Sequence, residues 1–139
     1  MKENADNLTQ VVEFMRAFEQ PVGTGWLDSD GIRLGLKLIR EEETELEEAA
    51  AILEATPYVE THRLNFVKEL TDLLYVTYWL AARVGIDVDR AFRLVHQSNM
   101  TKLGKDGRPV TRADGKVLKG PDYRKPDLVA VANAVPVSL

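Results

Sequence analysis

Two acidic stretches hold the residue types and spacing that could do chemistry. IREEETELEEAA (Ile39–Ala50) places six glutamates in eight positions, and ELTD (Glu69–Asp72) follows further along. Like charges three or four residues apart cost a helix about 0.2–0.5 kcal/mol per pair. Such a run is either a solvated acidic face or a set of carboxylates gathered around something positive. Helix periodicity of about 100° per residue separates these possibilities. With Glu41 at zero, Leu34, Leu38, Ile39, Leu46, Ala49, Ile52 and Leu53 fall between roughly 20° and 160°, the expected core-facing arc. Glu45 and Glu42 lie inside it, near about 40° and about 100°, with Glu41 and Glu48 on its edge. Glu43 and Glu47 fall outside, as solvated residues.

The elements that must position these acids form an all-α chain. The apolar spacing predicts a helix from a cap at Asn7 or Thr9 to about Glu19, with Val12, Met15 and Phe18 as its stripe. QPVGTGWLDSDG (Gln20–Gly31) is a Gly/Pro loop. Ser29 or Asp30 caps a second helix running to about Ala55, and a third covers about Thr61–Val84 before Gly85. Asp87 caps a fourth, to about Lys102. A loop-rich segment follows, with two Asp-Gly turns and the extended pieces VTR and KVL, which suit a short hairpin or an ordered lid. The organisation expected is one domain over residues 1–128 with a tail at 129–139. The third helix is apolar nearly all round, and four helices leave it uncovered. A homodimer or higher assembly would complete the bundle.

On that third helix Glu69 lies between Val76 and Leu80 in angle, with Asp72 one turn on. Two long helices joined by a short loop are usually antiparallel neighbours, so the two acidic groups can meet. Several ionised carboxylates in a half-buried site need protons or a cation. All-oxygen ligands suit Mg²⁺ or Mn²⁺. A di-iron site would need Glu-x-x-His pairs, which neither His62 nor His96 makes. Alternatively, Glu42, Glu45 and Glu69 pair with buried Arg40, Lys68 or Arg83 in a non-catalytic helical interaction protein.

Glu41-Glu42-x-x-Glu45, 23 residues, then Glu69-x-x-Asp72 resembles the EExxE…ExxD signature of the all-α nucleoside triphosphate pyrophosphohydrolases. That superfamily holds MazG proteins, dimeric dUTPases and phosphoribosyl-ATP pyrophosphohydrolases. FMRAFEQPV, HQSNMTKLGKDG and DGKVLKGPDYRKPDL are similar to a MazG-like dUTP pyrophosphohydrolase subgroup. The resemblance implies Mg²⁺-dependent cleavage between the α and β phosphates, most simply of dUTP to dUMP and pyrophosphate, with phosphoribosyl-ATP as the rival substrate. It also implies that Glu41, Glu42, Glu45, Glu69 and Asp72 form the metal site. Glu42 is the choice for activating water, the alternative being a metal-bound hydroxide with no protein base. Asn99 and Lys102, on one face of the fourth helix, would meet sugar or phosphate. In the basic segment, Lys105, Lys116, Lys119, Tyr123 and Arg124 offer a lid over the triphosphate. Phe18, Gln20 and Trp26 offer an aromatic stack and an amide for a base edge.

Bulk properties narrow the partners. The 139 residues carry a net charge of −4 and no cysteine, which excludes disulfides and thiolate metal sites and suits a reducing cytoplasm. From Lys102 to Asp127 eight Lys/Arg face four Asp, a local +4, so the remainder carries −8. An acidic body without a basic recognition helix disfavours nucleic acid. The longest uncharged apolar run, LLYVTYWLAA, is too short to span a bilayer.

Overall fold

A computed structural model describes residues 5–136. It is all-α, with helices α1 (Asn7–Ala17), α2 (Ser29–Ala55), α3 (Glu60–Val84), α4 (Val88–Met100) and a short α5 (Val129–Asn133). The described residues fall into two compact units, one up to Ile86 with Val135 and Pro136, the other Asp87–Ala134. Among them, no helix is long and apolar enough to cross a membrane.

In the first unit α2 and α3 run antiparallel. Their contacts pair Asp28 with Arg83, Gly35 with Leu80, and Glu42 with Glu69 and Asp72, so numbers rise on one helix as they fall on the other. The helices α1 and α2 are each capped by an aspartate, Asp6 and Asp28, that stands one residue before the first of the two caps expected from the sequence. Asp6 accepts from the Thr9 N–H at 2.8 Å, and Asp28 accepts from Gly31 N–H at 2.9 Å. α1 lies on α3 through a core of Val11, Met15, Trp79 and Ala82. The Phe14 and Tyr75 rings add an edge-to-face contact, their centroids 5.7 Å apart.

The loop between α1 and α2 is fastened to the end of α3. A helix leaves its last carbonyls without intrahelical partners. Here the N–H groups of Gly23, Thr24 and Gly25 donate to the carbonyls of Ala82, Arg83 and Val84 at 2.8–2.9 Å. Gly23 and Gly25 both sit at positive φ, which glycine adopts without a Cβ penalty. Asp28 locks this corner, accepting from Arg83 Nε at 2.6 Å and from the Thr24 hydroxyl at 2.6 Å. The Arg83 guanidinium, then Thr24 and the Gly31 N–H, hold the Asp28 carboxyl well below the usual carboxylate range.

Close approach of α2 to α3 depends on Gly35, which is buried against Leu80. An added Cβ would stand 2.6 Å from Leu80 Cδ1 and 3.0 Å from its Cβ. Helix propensity alone favours Ala over Gly by about 1 kcal/mol, whereas overpacking costs about 1–3 kcal/mol. Packing wins here, so Gly35→Ala is expected to lower the thermal midpoint. A midpoint equal to or above that of the wild type in calorimetry would show that the helices separate freely at this point.

The second unit holds α4, α5 and the basic segment. The VTR and KVL pieces meet in a single bridge, Thr111 with Val117, rather than a full hairpin. Leu118 N–H donates to Val110 carbonyl at 2.7 Å and Arg112 N–H to Lys116 carbonyl at 2.8 Å. Both Asp-Gly turns form, with Gly107 and Gly115 at positive φ. The tail expected from residue 129 onward begins as α5, with Val131 buried. Its last three residues, 137–139, lie outside the described residues.

Candidate metal centre

Glu42 on α2 meets Glu69 and Asp72 on α3, with one carboxylate oxygen from each lying within 4.8 Å of the others. Glu69, a carboxyl side chain, is only 8% exposed. Glu42 occupies the centre of the stripe that α2 buries, in line with Gly31, Gly35 and Ala49. Two oxygens in this group, Glu42 Oε2 and Glu69 Oε2, are buried and accept no hydrogen bond. Leaving such acceptors unpaired costs several times what a typical hydrogen bond gains. Burial first, then repulsion from Glu45 and Asp72, a hydrogen bond with Glu45, and repulsion from Glu69 raise the pKa of Glu42. Four carboxylates thus share one electrostatic environment.

Lys68 is the cation that reaches two of them. Its Nζ lies 2.7 Å from Asp72 Oδ2 and 3.1 Å from Glu69 Oε1. Of the internal pairings considered from the sequence, this one forms, while Arg83 is committed to Asp28. One ammonium faces four carboxyl groups, and the two innermost oxygens remain unpaired. Oxygen donors only, negative charge and orphaned inner acceptors fit a hard divalent cation. Glu42, Glu69 and Asp72 would hold it, and Glu45 borders them.

The remaining glutamates of the run point elsewhere. Glu41 is exposed and lies 3.9 Å from Lys37 Nζ, outside the three-residue group. Glu43, Glu47 and Glu48 are exposed as well. On the loop side of this unit, Phe18 is 65% exposed, its ring 4.5 Å from that of Phe14. Gln20 Oε1 accepts from the Trp79 indole at 2.8 Å, which leaves the Gln20 amide N–H groups as its donors. Trp26 is 46% exposed.

Within the second unit, the basic segment folds back onto the end of α4, where Asn99 and Lys102 lie. Gly120 N–H donates to the Lys102 carbonyl at 2.9 Å, and the Ser98 hydroxyl donates to Arg124 carbonyl at 2.7 Å. A Cβ on Gly120 would collide with the Lys102 carbonyl at 2.7 Å, so only glycine permits this approach. Lys119 Nζ lies over the Tyr123 ring, 4.8 Å from its centroid. Lys116 and Lys105 are exposed. The sequence pattern points to the lysines but not to their fasteners, Ser98, Thr101 and Gly120. The Arg124 N–H donates to Thr101 Oγ1 at 2.9 Å, completing the clasp.

A family model described as phosphoribosyl-ATP pyrophosphohydrolase matches residues 11–99, nearly two thirds of the chain. The chain belongs to the phosphoribosyl-ATP pyrophosphohydrolase family. It is therefore a member of the all-α nucleoside triphosphate pyrophosphohydrolase superfamily, and a pyrophosphohydrolase for a nucleotide-like substrate. The match spans Glu42, Glu45, Glu69 and Asp72 and ends at Asn99, before the basic segment. No curated protein matches the chain.

Proposed function

We propose that the chain hydrolyses an α–β phosphoanhydride bond, with Mg²⁺, or Mn²⁺ in its place, held by Glu42, Glu69 and Asp72 beside Glu45. The observation that carries this reading is the pair of buried, unpartnered oxygens Glu42 Oε2 and Glu69 Oε2 facing one carboxylate group. When bound, the ion supplies neutralisation of charge on the phosphate oxygens. Glu42 orients the attacking water and accepts its proton, a role supported by its Oε2, which has no hydrogen-bond partner in the protein. Phosphate and sugar contacts are assigned to Asn99, Lys102, Lys116, Lys119 and Tyr123, and base contacts to Phe18, Gln20 and Trp26. Glu41, facing Lys37 at the rim, is left an outer role.

Phosphoribosyl-ATP is the substrate that the matched family supports, and it takes precedence over dUTP. A second reading, dUTP, is favoured by the resemblance of FMRAFEQPV, HQSNMTKLGKDG and DGKVLKGPDYRKPDL to MazG-like dUTP pyrophosphohydrolases, most of which lies beyond the matched span. Pyrophosphate release from phosphoribosyl-ATP, dUTP and the other dNTPs with Mg²⁺ decides between them. Faster turnover of dUTP selects the second reading, and no release from any nucleotide removes both. A homo-oligomer is part of the proposal, since Leu64, Val67, Leu70 and Leu74 form an exposed apolar stripe on α3. Light scattering that finds a monomer at micromolar concentration would remove that part.

A further inference from the structure

We propose that Lys68 is a built-in counter-cation of the carboxylate centre, one that competes with the divalent ion and sets a weak intrinsic metal affinity. The inference rests on the metal centre proposed above and adds a role for a residue outside its ligand set. Lys68 precedes Glu69 and stands one turn before Asp72, so a single side chain can touch both. Its Nζ takes Asp72 Oδ2 at 2.7 Å and Glu69 Oε1 at 3.1 Å. No other ion pair among the described residues reaches Glu42, Glu45, Glu69 or Asp72. The lysine is thus the group's own means of neutralisation when no metal is bound.

Two roles for such a lysine predict opposite signs. A positioning lysine would hold the outer oxygens so that the inner ones face the ion, and its loss would weaken metal binding. A competing lysine adds like-charge repulsion to the incoming ion, and its loss would tighten binding. The Lys68 side chain is 63% exposed. At that exposure the ordering it imposes through ion pairs is weak, whereas its charge lies within a few ångströms of a dication's ligands. Repulsion between a unit and a double charge about 5 Å apart, even at the dielectric of water, corresponds to roughly tenfold in affinity. Competition therefore dominates. The ion then enters most favourably together with an anionic phosphate chain, whose charge the displaced ammonium can meet.

Mn²⁺ titration calorimetry on the full chain, with thermal melts in chelator and in Mn²⁺, tests the role without measuring turnover. Lys68→Met is expected to bind Mn²⁺ about tenfold more tightly, to melt lower than wild type in chelator, and to gain more from Mn²⁺. Lys68→Arg, which keeps the charge, is expected to bind within about twofold of wild type. Unchanged or weaker Mn²⁺ binding by a folded Lys68→Met overturns the inference while leaving the metal centre standing. Absence of Mn²⁺ binding by both the wild type and Lys68→Met overturns the centre, and the inference with it.

Discussion

Glu69→Gln is expected to lower pyrophosphate release at least about 100-fold and to abolish the thermal stabilisation that Mn²⁺ gives the wild type. The substitution keeps the size of the side chain and an oxygen that can still accept from Lys68, so packing and that hydrogen bond survive. What disappears is one negative charge and one of the two orphaned inner donors. Charge neutralisation by a bound dication supplies several kcal/mol to phosphoryl-group chemistry, and about 2.7 kcal/mol alone is a factor of roughly 100 in rate. Binding stabilises the folded state by mass action, about 2.7 kcal/mol at a hundredfold excess over Kd, so a wild-type midpoint should climb with Mn²⁺. The two readouts belong together. A variant that loses turnover but retains the Mn²⁺-dependent shift would move Glu69 out of the ligand set. Glu43→Gln, on the solvated side of the same acidic run, serves as the control and should leave both unchanged.

Most of this site is legible in helix periodicity alone. The 100° step puts Glu42, Glu45, Glu69 and Asp72 on facing sides of two consecutive helices and sets Glu43 and Glu47 outside. Glu41 falls on the edge of the α2 core arc and enters the expected metal set only through the family resemblance; large apolar residues dominate the centring of the arc. Leu34 and Ile52 are 43% and 47% exposed, whereas Gly31, Gly35 and Ala49 are buried. Small residues carry little hydrophobic signal, yet they mark where two backbones come closest. Centring the arc on them moves it to about 100°, onto Glu42, and leaves Glu41 outside it. Lys68 is visible in the sequence only as a possible partner, since its reach to Glu69 and Asp72 depends on a rotamer that spacing does not fix. The clasp of Ser98, Thr101 and Gly120 joins residues about 20 positions apart. No periodic pattern spans that loop. The EExxE…ExxD resemblance reaches the superfamily but not the substrate, because acids on two helices carry no information about a base.

Glu42→Gln is expected to do two opposite things, to raise the melting midpoint of the metal-free protein at neutral pH and to cut pyrophosphate release about 100-fold or more. The Glu42 carboxyl is held by burial and by three neighbouring carboxylates, and its pKa is raised from 4.5. In the folded protein it keeps its proton to a higher pH than in the unfolded chain, so the native state binds the extra proton within that window. Stability of the metal-free protein must then fall as pH rises from about 4.5 through the raised pKa. A neutral isostere removes the repulsion with Glu45, Asp72 and Glu69, so the variant's midpoint should change less over that range. Replacing a poorly compensated buried charge by a neutral group of equal size stabilises many proteins, and active sites are where such a trade against function is expected. Mn²⁺ should reverse the order, stabilising the wild type more than the variant. Melts of both proteins from about pH 4.5 to 8, in chelator and in Mn²⁺, check every part of this. A variant that melts below the wild type in chelator at neutral pH would mean that the ionised Glu42 is already compensated without metal. In that case the orphaned Oε2 could not be the force that draws a cation into the group.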